Sequence, residues 1–382
     1  MIVAGIMSGT SADGINVALL RVSGRALKTR FELLAHGETA YPEPVRRAVL
    51  AMMDAKSARV ADLARLDFLL GELYADALLE LARKHRLKAE LVGCHGQTVY
   101  HQGKPQTFHG RRIACTMQIG EGAVVAARAG VPVVSGFRSA DMAAGGAGAP
   151  LVPYLDYLLY RDARVGRIMQ NLGGIGNLTA IAAGAEREQL IAFDTGPGNM
   201  VIDAVMERLF ARKYDVDGKI ATSGKVVDAA LRAGLRHPYF KQRPPKTAGR
   251  EQFGVEFVSH FVSLCGSAKP QDIVATATAL TAHSISEALQ RFVLTGKKGR
   301  YSEYILAGGG SRNQALVAML RAEVEPLGLK LRQSDEFGIP ASAKEAVAFA
   351  LLAYATWNRE PSNVPAATGA TRPAILGKIS YA

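Results

Sequence analysis

The segment Phe193-Asp194-Thr195-Gly196-Pro197-Gly198-Asn199 carries the residues of this chain that are best suited to chemistry. It follows an apolar run at residues 190–193 and precedes an amphipathic run at residues 200–210. Glycines at the start of a helix let backbone N–H groups approach a phosphate, and the helix N-terminus favours its charge. An acid beside them, Asp194, has the chemistry of a general base next to a transferred group. The alternative is an acidic N-cap in a tight turn, and the heptapeptide alone leaves both open.

A second turn of this kind is Ser8-Gly9-Thr10-Ser11-Ala12-Asp13-Gly14, which separates strand-like residues 1–7 from a weakly alternating run at 16–22. It is not a Walker P-loop, because no Gly-Lys-Ser/Thr sequence follows and no helix begins there. A hairpin turn of this composition suits a nucleotide phosphate and its Mg²⁺. An ordinary polar hairpin turn is the alternative, since the same residues are common in turns.

A third turn, Gly308-Gly309-Gly310, follows the apolar strand predicted at residues 304–307 and precedes a helix. Two further strands end at polar or glycine-rich segments, residues 167–170 at Asn171-Leu172-Gly173-Gly174 and residues 91–94 at His95-Gly96-Gln97-Thr98. The three turns at 8–14, 194–199 and 308–310 are thus widely separated along the chain, and each follows a strand. Strands, a glycine turn and then helices in each half of the chain are what a two-lobed nucleotide clamp would show.

The composition indicates an ordinary globular protein. Of 382 residues, 48% are hydrophobic, 21% charged and only 7% aromatic, which favours packed α/β elements. The net charge of +12 raises the question of nucleic acid, but the basic residues are scattered and no nucleic-acid motif accompanies them. Anionic small molecules explain the charge as well, and we expect no nucleic-acid partner. No run is long enough to span a bilayer and no signal peptide is evident, so we expect a cytoplasmic protein without membrane contact.

The three cysteines, Cys94, Cys115 and Cys265, form no CxxC pair. Neither a zinc site nor a disulfide framework is therefore predicted. Cys94 precedes His95, which is weak evidence for a nucleophile.

Periodicity divides the chain into two similar halves. Strands are predicted at residues 1–7, 16–22, 31–36, 91–94 and 131–134, and helices at 44–54, 60–84 and 123–129. The second half repeats the order, with strands at 167–170, 177–181, 190–193 and 304–307 and helices at 201–210, 225–233, 271–292 and 343–357. A small-residue segment at 143–150 marks the boundary. We predict an N-terminal lobe at residues 1–142, completed by 366–382, and a C-terminal lobe at residues 143–365.

The order of the three turns resembles that of the sugar kinase, heat-shock protein and actin superfamily. The remaining motifs are similar to those of one family within it, the anhydro-N-acetylmuramic acid kinases of bacterial cell-wall recycling. They cover nearly the whole chain in the family's order: Ser8 to Gly14, His95 to Thr98, Phe137-Arg138 with Asp141, Ala143 to Gly146 with Gly148 to Pro153, Asn171 to Gly174, Asp194 to Asn199, Gly249-Arg250-Glu251 with Phe253, Gly308 to Gly310, and Glu345 in Lys344 to Ala350. Departures from the pattern, such as Cys94 where serine is usual, leave the acid at 194 in place.

The resemblance implies an α/β fold of two lobes, each a mixed sheet flanked by helices, with an interdomain cleft. It implies a kinase that uses ATP and Mg²⁺, opens the 1,6-anhydro ring of an amino sugar with water and phosphorylates O6. Asp194 would be the catalytic base and Asp13 would hold the metal, directly or through water. The other ATP ligands would be Ser8, Gly9, Thr10, Ser11, Gly14, Asn171, Gly173, Gly174, Thr195, Gly196, Gly308, Gly309 and Gly310. The sugar ligands would be His95, Gln97, Thr98, Arg138 and Glu345.

Several alternatives stay open at this point. Arg138 and Asp141 could instead form an interdomain salt bridge, Glu345 could complement a helix dipole, and His95 and Gln97 could be structural. An ordinary sugar kinase of the superfamily, or an ATP-gated clamp without a sugar substrate, would carry the same turns. A homodimer is also left open.

Overall fold

The computed structural model describes residues 1–9, 12–53, 55–295 and 300–382. The predicted phosphate ligands Thr10 and Ser11 lie outside the described residues. The chain forms two compact units. Unit 1 comprises residues 1–159 and 338–382, and unit 2 comprises residues 160–337.

The strands of the described residues are short to medium in length, except for one of 18 residues. They are β1 (Ile2–Ser8), β2 (Gly14–Ser23), β3 (Arg30–Ala40), β4 (Leu91–Phe108), β5 (Arg111–Ile119), β6 (Val133–Ser135), β7 (Arg167–Leu172), β8 (Ile175–Ile181), β9 (Ile191–Pro197), β10 (Glu303–Ala307), β11 (Lys330–Gln333) and β12 (Lys378–Ser380).

The α-helices range from single turns to 26 residues. They are α1 (Glu43–Met53), α2 (Val60–His85), α3 (Gly122–Ala129), α4 (Phe137–Ala143), α5 (Pro153–Tyr160), α6 (Met200–Phe210), α7 (Lys219–Ser223), α8 (Asp228–Gly234), α9 (Pro238–Lys241), α10 (Arg250–Phe253), α11 (Val255–Leu264), α12 (Pro270–Ala288), α13 (Gln314–Val324), α14 (Lys344–Trp357) and α15 (Pro365–Thr368). Among the described residues no helix combines the length and apolar character that a membrane crossing requires.

Unit 1 is built on a mixed sheet in the order β12-β6-β4-β1-β2-β3, with β5 paired to β4. β1 pairs antiparallel with β2 and parallel with β4. Ala4 and Ile6 of β1 pack into an apolar core with Leu70 and Tyr74 of α2. Gly5 lies between them in sequence and therefore points to the opposite face.

The opposite face of this sheet is covered by α14. A side chain at Gly5 would overlap the backbone of Ala346, so glycine is what allows the helix to lie directly on the strand. This contact explains why α14 belongs with the N-terminal strands; the units divide after residues 159 and 337 rather than after 142 and 365. Residues 143–159 and 338–365, which the sequence analysis assigned to the C-terminal lobe, belong to the compact unit of the N-terminal strands.

Unit 2 is built on a sheet in the order β11-β10-β7-β8-β9. The β7 strand pairs parallel with β10 and antiparallel with β8, so this sheet is also mixed. Its core includes Phe193 of β9, Val205 of α6 and Leu280 of α12. The predicted α/β class, with a mixed sheet flanked by helices in each half of the chain, is confirmed.

Candidate functional site

Asp194 lies inside β9, which continues four residues past the predicted strand end at residue 193. In the pairing with β8, Asn177 lies opposite Asp194 and Gly176 lies opposite Gly196, so Thr195 is an extra residue. An extra residue of this kind is a β-bulge, which bends a strand and re-aims the neighbouring side chains. The bulge therefore explains how Asp194 can lie at the edge of the sheet that carries the glycine turns, although β9 does not end there.

The Asp194 carboxylate is half-buried and is held by one backbone donor. The Ala248 N–H donates to Oδ2 at 2.9 Å, and the Tyr239 hydroxyl donates to the Asp194 carbonyl at 2.7 Å. Among the described residues, Oδ1 has no hydrogen-bond donor. Burial raises the pKa of Asp194 to about 6, against the Ala248 hydrogen bond and the charge of Lys246, which lower it. The carboxylate is thus charged at neutral pH but basic enough to accept a proton.

Thr195 and Gly196, both predicted phosphate ligands, have different environments. The Thr195 side chain is fully buried, and its hydroxyl donates to the Gly176 carbonyl at 3.0 Å. Its side chain therefore fastens β9 to β8. Gly196 is also buried and has a φ of +149°, and a side chain there would meet the Phe240 ring at 2.7 Å.

The turn Asn171-Leu172-Gly173-Gly174 is tied to the segment after β9. The Gly198 N–H donates to the Gly174 carbonyl at 2.9 Å, and the Asn199 N–H donates to the Gly173 carbonyl at 2.8 Å. These bonds fix the entry into α6. Asn171 lies opposite Ala307 in the pairing of β7 with β10, which brings it next to the triple-glycine turn.

That turn, Gly308 to Gly310, meets the same strand end. Gly308 has φ +83° and ψ 175°, a region that essentially only glycine adopts, and a side chain there would meet Asn171 Oδ1 at 2.6 Å. Unit 2 therefore brings together nine predicted residues at one edge of its sheet: Asn171, Gly173, Gly174, Asp194, Thr195, Gly196, Gly308, Gly309 and Gly310.

A cavity of about 430 Å³ opens beside Gly309 and Gly310. A volume of this order is that of a typical small-molecule site. Its polar lining comes from α6, the loop after it and the start of α13. The lining residues are Asn199, Asp203, Tyr214, Asp215, Val216, Asp217, Gly309, Gly310, Arg312 and Asn313.

Asp203 is a residue of this cavity that the sequence analysis missed. The two carboxylate oxygens of Asp215 accept hydrogen bonds from the N–H groups of Ile220 and Ala221, and Asp217 pairs with Lys219. Asp203, by contrast, has no side-chain hydrogen bond or ion pair within the described part of the chain. Burial raises its pKa to about 6. Asp203 lies in the first turn of α6, three residues after Met200. This position next to a glycine-containing turn could have indicated a ligand-facing acid, but the apolar pattern of the helix obscured it.

In unit 1 the turn that begins at Ser8 is supported by a buried network of polar side chains. The Ser8 hydroxyl donates to Gln97 Oε1 at 2.6 Å, and Gln97 Nε2 donates to the Gly9 carbonyl at 3.1 Å. The Tyr41 hydroxyl donates to Ser8 Oγ at 2.7 Å and lies 3.1 Å from that of Tyr74. Ser8 and Gln97 are almost completely buried, so both side chains shape the turn from within unit 1.

Asp13 lies on the outer side of the same turn. Its side chain is 73% exposed, and Arg46 lies 3.4 Å from Oδ1. Gly14, also predicted as a ligand, is the first residue of β2. Among the described residues no group of three or more His, Cys, Asp or Glu side chains could hold a metal ion. Mg²⁺ commonly binds through one or two carboxylates together with phosphate oxygens and water, and an exposed Asp13 fits a metal that arrives with a nucleotide.

His95 and Arg138 form a pair in unit 1. Arg138 Nε donates to His95 Nε2 at 3.0 Å, and the other ring nitrogen, Nδ1, lies 2.6 Å from the Gly96 carbonyl. This arrangement assigns the proton to Nδ1. Burial, and then the charge of Arg138, lowers the pKa of His95. Neutral His95 thus orients the Arg138 guanidinium, whose Nη1 donates to the Gly148 carbonyl at 2.8 Å.

The other predicted sugar ligands are more exposed. The Thr98 hydroxyl accepts a hydrogen bond from Gln118 at 3.2 Å. Glu345 lies in the first turn of α14, its side chain is exposed, and its charge raises the pKa of Arg138 against the larger effect of burial. Burial lowers the pKa of Arg138 to about 10.

Asp141 does not pair with Arg138 among the described residues. Its fully buried carboxylate accepts hydrogen bonds from the Gly148 N–H, Asn363 and Thr368, at 2.8 to 2.9 Å. It therefore joins the glycine-rich loop to the segment before β12. Cys94 is equally buried, and burial raises the pKa of its thiol to about 12, which removes it as a nucleophile.

Comparison with known proteins places the chain in the class of kinases, as predicted. The family model for anhydro-N-acetylmuramic acid kinase matches residues 1–382. A relative of that name from Bacillus cereus (strain AH187) is 43% identical over 384 residues, with 100% of this chain and 99% of the relative covered. A second, from Caldanaerobacter subterraneus subsp. tengcongensis, is 43% identical over 386 residues, with 99% and 96% covered. The chain therefore belongs to the anhydro-N-acetylmuramic acid kinase family.

Among solved structures, a hexokinase of the ROK family from Thermus thermophilus is similar at 14% identity and a TM-score of 0.41. The match covers 94% of this chain and 100% of the hexokinase chain.

Proposed function

We propose that the chain is an ATP-dependent kinase of 1,6-anhydro-N-acetylmuramic acid, acting in peptidoglycan recycling. Water opens the 1,6-anhydro bond and the freed O6 takes the γ-phosphoryl group of ATP, which gives N-acetylmuramic acid 6-phosphate and ADP. Family membership supports the substrate, and the environment of Asp194 is the observation that carries the chemistry.

Asp194 is the base in this proposal. It accepts a proton from the attacking water through Oδ1 while the Ala248 N–H holds Oδ2. The water oxygen bonds to C1 as the C1–O6 bond breaks. O6 then forms its bond to the γ-phosphorus and ADP leaves. A carboxylate with a pKa of about 6 is well matched to this task at neutral pH.

The nucleotide is assigned to the glycine turns. The cavity beside Gly309 and Gly310 takes the adenosine, and its half-buried Asp203 suits the ribose hydroxyls as an acceptor. The backbone of residues 173–174 and 196–198 takes phosphate oxygens. In unit 1, the turn of Ser8 to Gly14 takes phosphate, and Asp13 would hold the Mg²⁺ that accompanies ATP.

The sugar is assigned to polar groups of unit 1. Arg138 and Glu345 offer a cation and an exposed carboxylate, a pair suited to an amino sugar with an acidic side chain. Thr98 is a further ligand. His95 and Gln97 act behind these groups, because their side chains are buried and already paired.

The experiment is mass spectrometry of the products formed from 1,6-anhydro-N-acetylmuramic acid, ATP and Mg²⁺ in heavy-oxygen water. We expect ADP and a sugar phosphate that carries one solvent oxygen at C1 at the earliest times. Preformed product in the same water gives the rate of passive exchange at C1 as the control. A phosphorylated product that still contains the anhydro ring, or ATP turnover that does not depend on sugar, would contradict the proposal and favour one of the two alternatives above.

A further inference from the structure

Lys246 is a buried cation in an unusual environment. The residue is only 6% exposed, and Nζ lies over the rings of Tyr239, Phe292 and Phe193 at 4.6, 5.2 and 5.6 Å from their centroids. Its hydrogen bond to the Tyr239 carbonyl is long, at 3.4 Å. Within the described ranges no carboxylate oxygen lies within 4.0 Å of Nζ. Burying a charge without a close counter-ion is unfavourable, so some property of this position has to compensate.

The segment that carries Lys246 runs beside Asp194. The Asp194 N–H donates to the Lys246 carbonyl at 3.1 Å, and two residues later the Ala248 N–H donates to Asp194 Oδ2. Phe193, which forms one side of the aromatic cage, is the residue before Asp194. One short stretch of chain therefore supplies the carboxylate with both its hydrogen bond and a nearby positive charge.

The charges around the pair act in both directions. The charge of Glu251 raises the pKa of Asp194, whereas that of Lys246 lowers it, and Tyr239 also lies within electrostatic reach of the carboxylate. Burial lowers the pKa of Lys246 to about 8. Around the ammonium, Arg291 lowers this pKa further, while Glu287 and Asp194 raise it. Because Arg291 and Glu287 pair with each other at 2.8 Å, the net charge that they present to Lys246 is small.

We propose that Lys246 is a positioning residue for Asp194: its caged ammonium keeps the Asp194 carboxylate charged, while its backbone holds the strand that carries the acid. The inference rests on the proposed function for the role of Asp194 as base. The aromatic cage provides cation–π attraction that holds the ammonium without neutralising it. A carboxylate close to Nζ would screen the same charge from Asp194.

The test is a carboxyl ¹³C NMR titration of the full chain labelled at aspartate, with the Asp194 signal assigned from Asp194→Asn. We expect the Asp194 midpoint in Lys246→Met to lie about 1 pH unit or more above that of the parent, the usual effect of removing a nearby opposite charge. Lys246→Arg retains the charge and should return the midpoint to within a few tenths of a unit. Lys241→Met, which removes an exposed lysine of the same region, is the matched control and should leave the midpoint unchanged.

Kinetics provide the second readout. The acid limb of kcat/KM should move upward with the NMR midpoint in Lys246→Met, so that the loss is largest below pH 7 and shrinks at higher pH. A purely structural lysine would lower activity equally at all pH values. If Lys246→Met does not fold, Lys246→Gln tests the same expectation.

An unchanged Asp194 midpoint in a folded, uncharged variant would overturn the inference. This outcome is separate from failure of the proposed function. If Asp194→Asn stayed active, the base assignment would be lost, but the NMR midpoint would still decide whether Lys246 controls the charge of Asp194.

Discussion

The two acidic turns of the molecule differ in how they hold their acid. In unit 1, the buried side chains of Ser8, Gln97 and Tyr41 support the turn through hydrogen bonds. The Asp13 side chain on the same turn is 73% exposed. In unit 2, backbone groups hold the acid itself, and Asp194 is half-buried near a caged lysine.

This difference separates two kinds of chemistry. An exposed carboxylate keeps its charge and can exchange water ligands easily, which suits a divalent cation. A desolvated carboxylate is a stronger base, since burial disfavours its charged form. We therefore expect changes at Asp194 to affect the chemical step and changes at the first turn to affect the use of MgATP.

The largest effect is expected for Asp194→Asn. We expect kcat to fall by about two to four orders of magnitude, the typical range for general-base catalysis, while KM for ATP changes little. The amide oxygen can still accept the Ala248 hydrogen bond, so the fold should persist. Steady-state kinetics and a thermal melt measure the two quantities, with Asp228→Asn, an exposed aspartate outside the cavity, as the control. A variant with near-normal kcat would remove Asp194 from the mechanism.

The pH dependence gives the next test. Because the pKa of Asp194 is about 6, kcat/KM should be constant around neutrality and fall about tenfold per pH unit well below pH 6, where the protonated acid cannot accept a proton. Asp203 has a pKa of about 6 as well, so it could produce the same limb. The profile of Asp203→Asn separates the two residues. If the limb disappeared in that variant, it would belong to the nucleotide cavity rather than to the base.

Most of the fold could be predicted from sequence because its core elements carry strong periodicity. The predicted helix at 60–84 corresponds to α2, and the strands at 1–7 and 16–22 correspond to β1 and β2. The β4 strand, by contrast, extends from Leu91 to Phe108, far past the predicted end at Cys94. Its second half pairs with β5 in polar sequence, where most side chains are exposed, so no apolar pattern marks it.

The candidate site shows the same limit at the level of side chains. Motif order identified Asp194 and the turns at 171–174 and 308–310, which the structure brings to one edge of the unit 2 sheet. It could not distinguish a residue that faces a ligand from one behind it. Gln97 and Thr195 are both buried with their polar atoms engaged, and only tertiary pairing reveals this. Lys246 lay outside the predicted set for the same reason.

Gln97→Leu tests the support of the first turn. We expect a loss of about 1–3 kcal/mol in the free energy of unfolding, because Ser8 and the Gly9 carbonyl lose their buried partner. The KM for ATP should rise, with a smaller effect on kcat. Denaturant unfolding and kinetics measure both quantities. Exposed Gln106→Leu, on the same strand, is the control. If only the KM for the sugar rose, Gln97 would act as a sugar ligand, as the sequence predicted.

The smallest effect is expected for Asp13→Ala. The side chain is exposed and its contact with Arg46 is 3.4 Å long, so stability should change by less than about 1 kcal/mol. Because the carboxylate would hold Mg²⁺ or its water ligands, the concentration of Mg²⁺ needed for half-maximal rate should rise several-fold, while KM for the sugar stays the same. Titration of Mg²⁺ at fixed ATP measures this, with Asp13→Asn as an isosteric comparison that retains a weaker oxygen ligand. If Mg²⁺ dependence is unchanged in both variants, Asp13 serves only to form the turn, and the contrast between an exposed metal-binding acid and a buried basic one no longer holds.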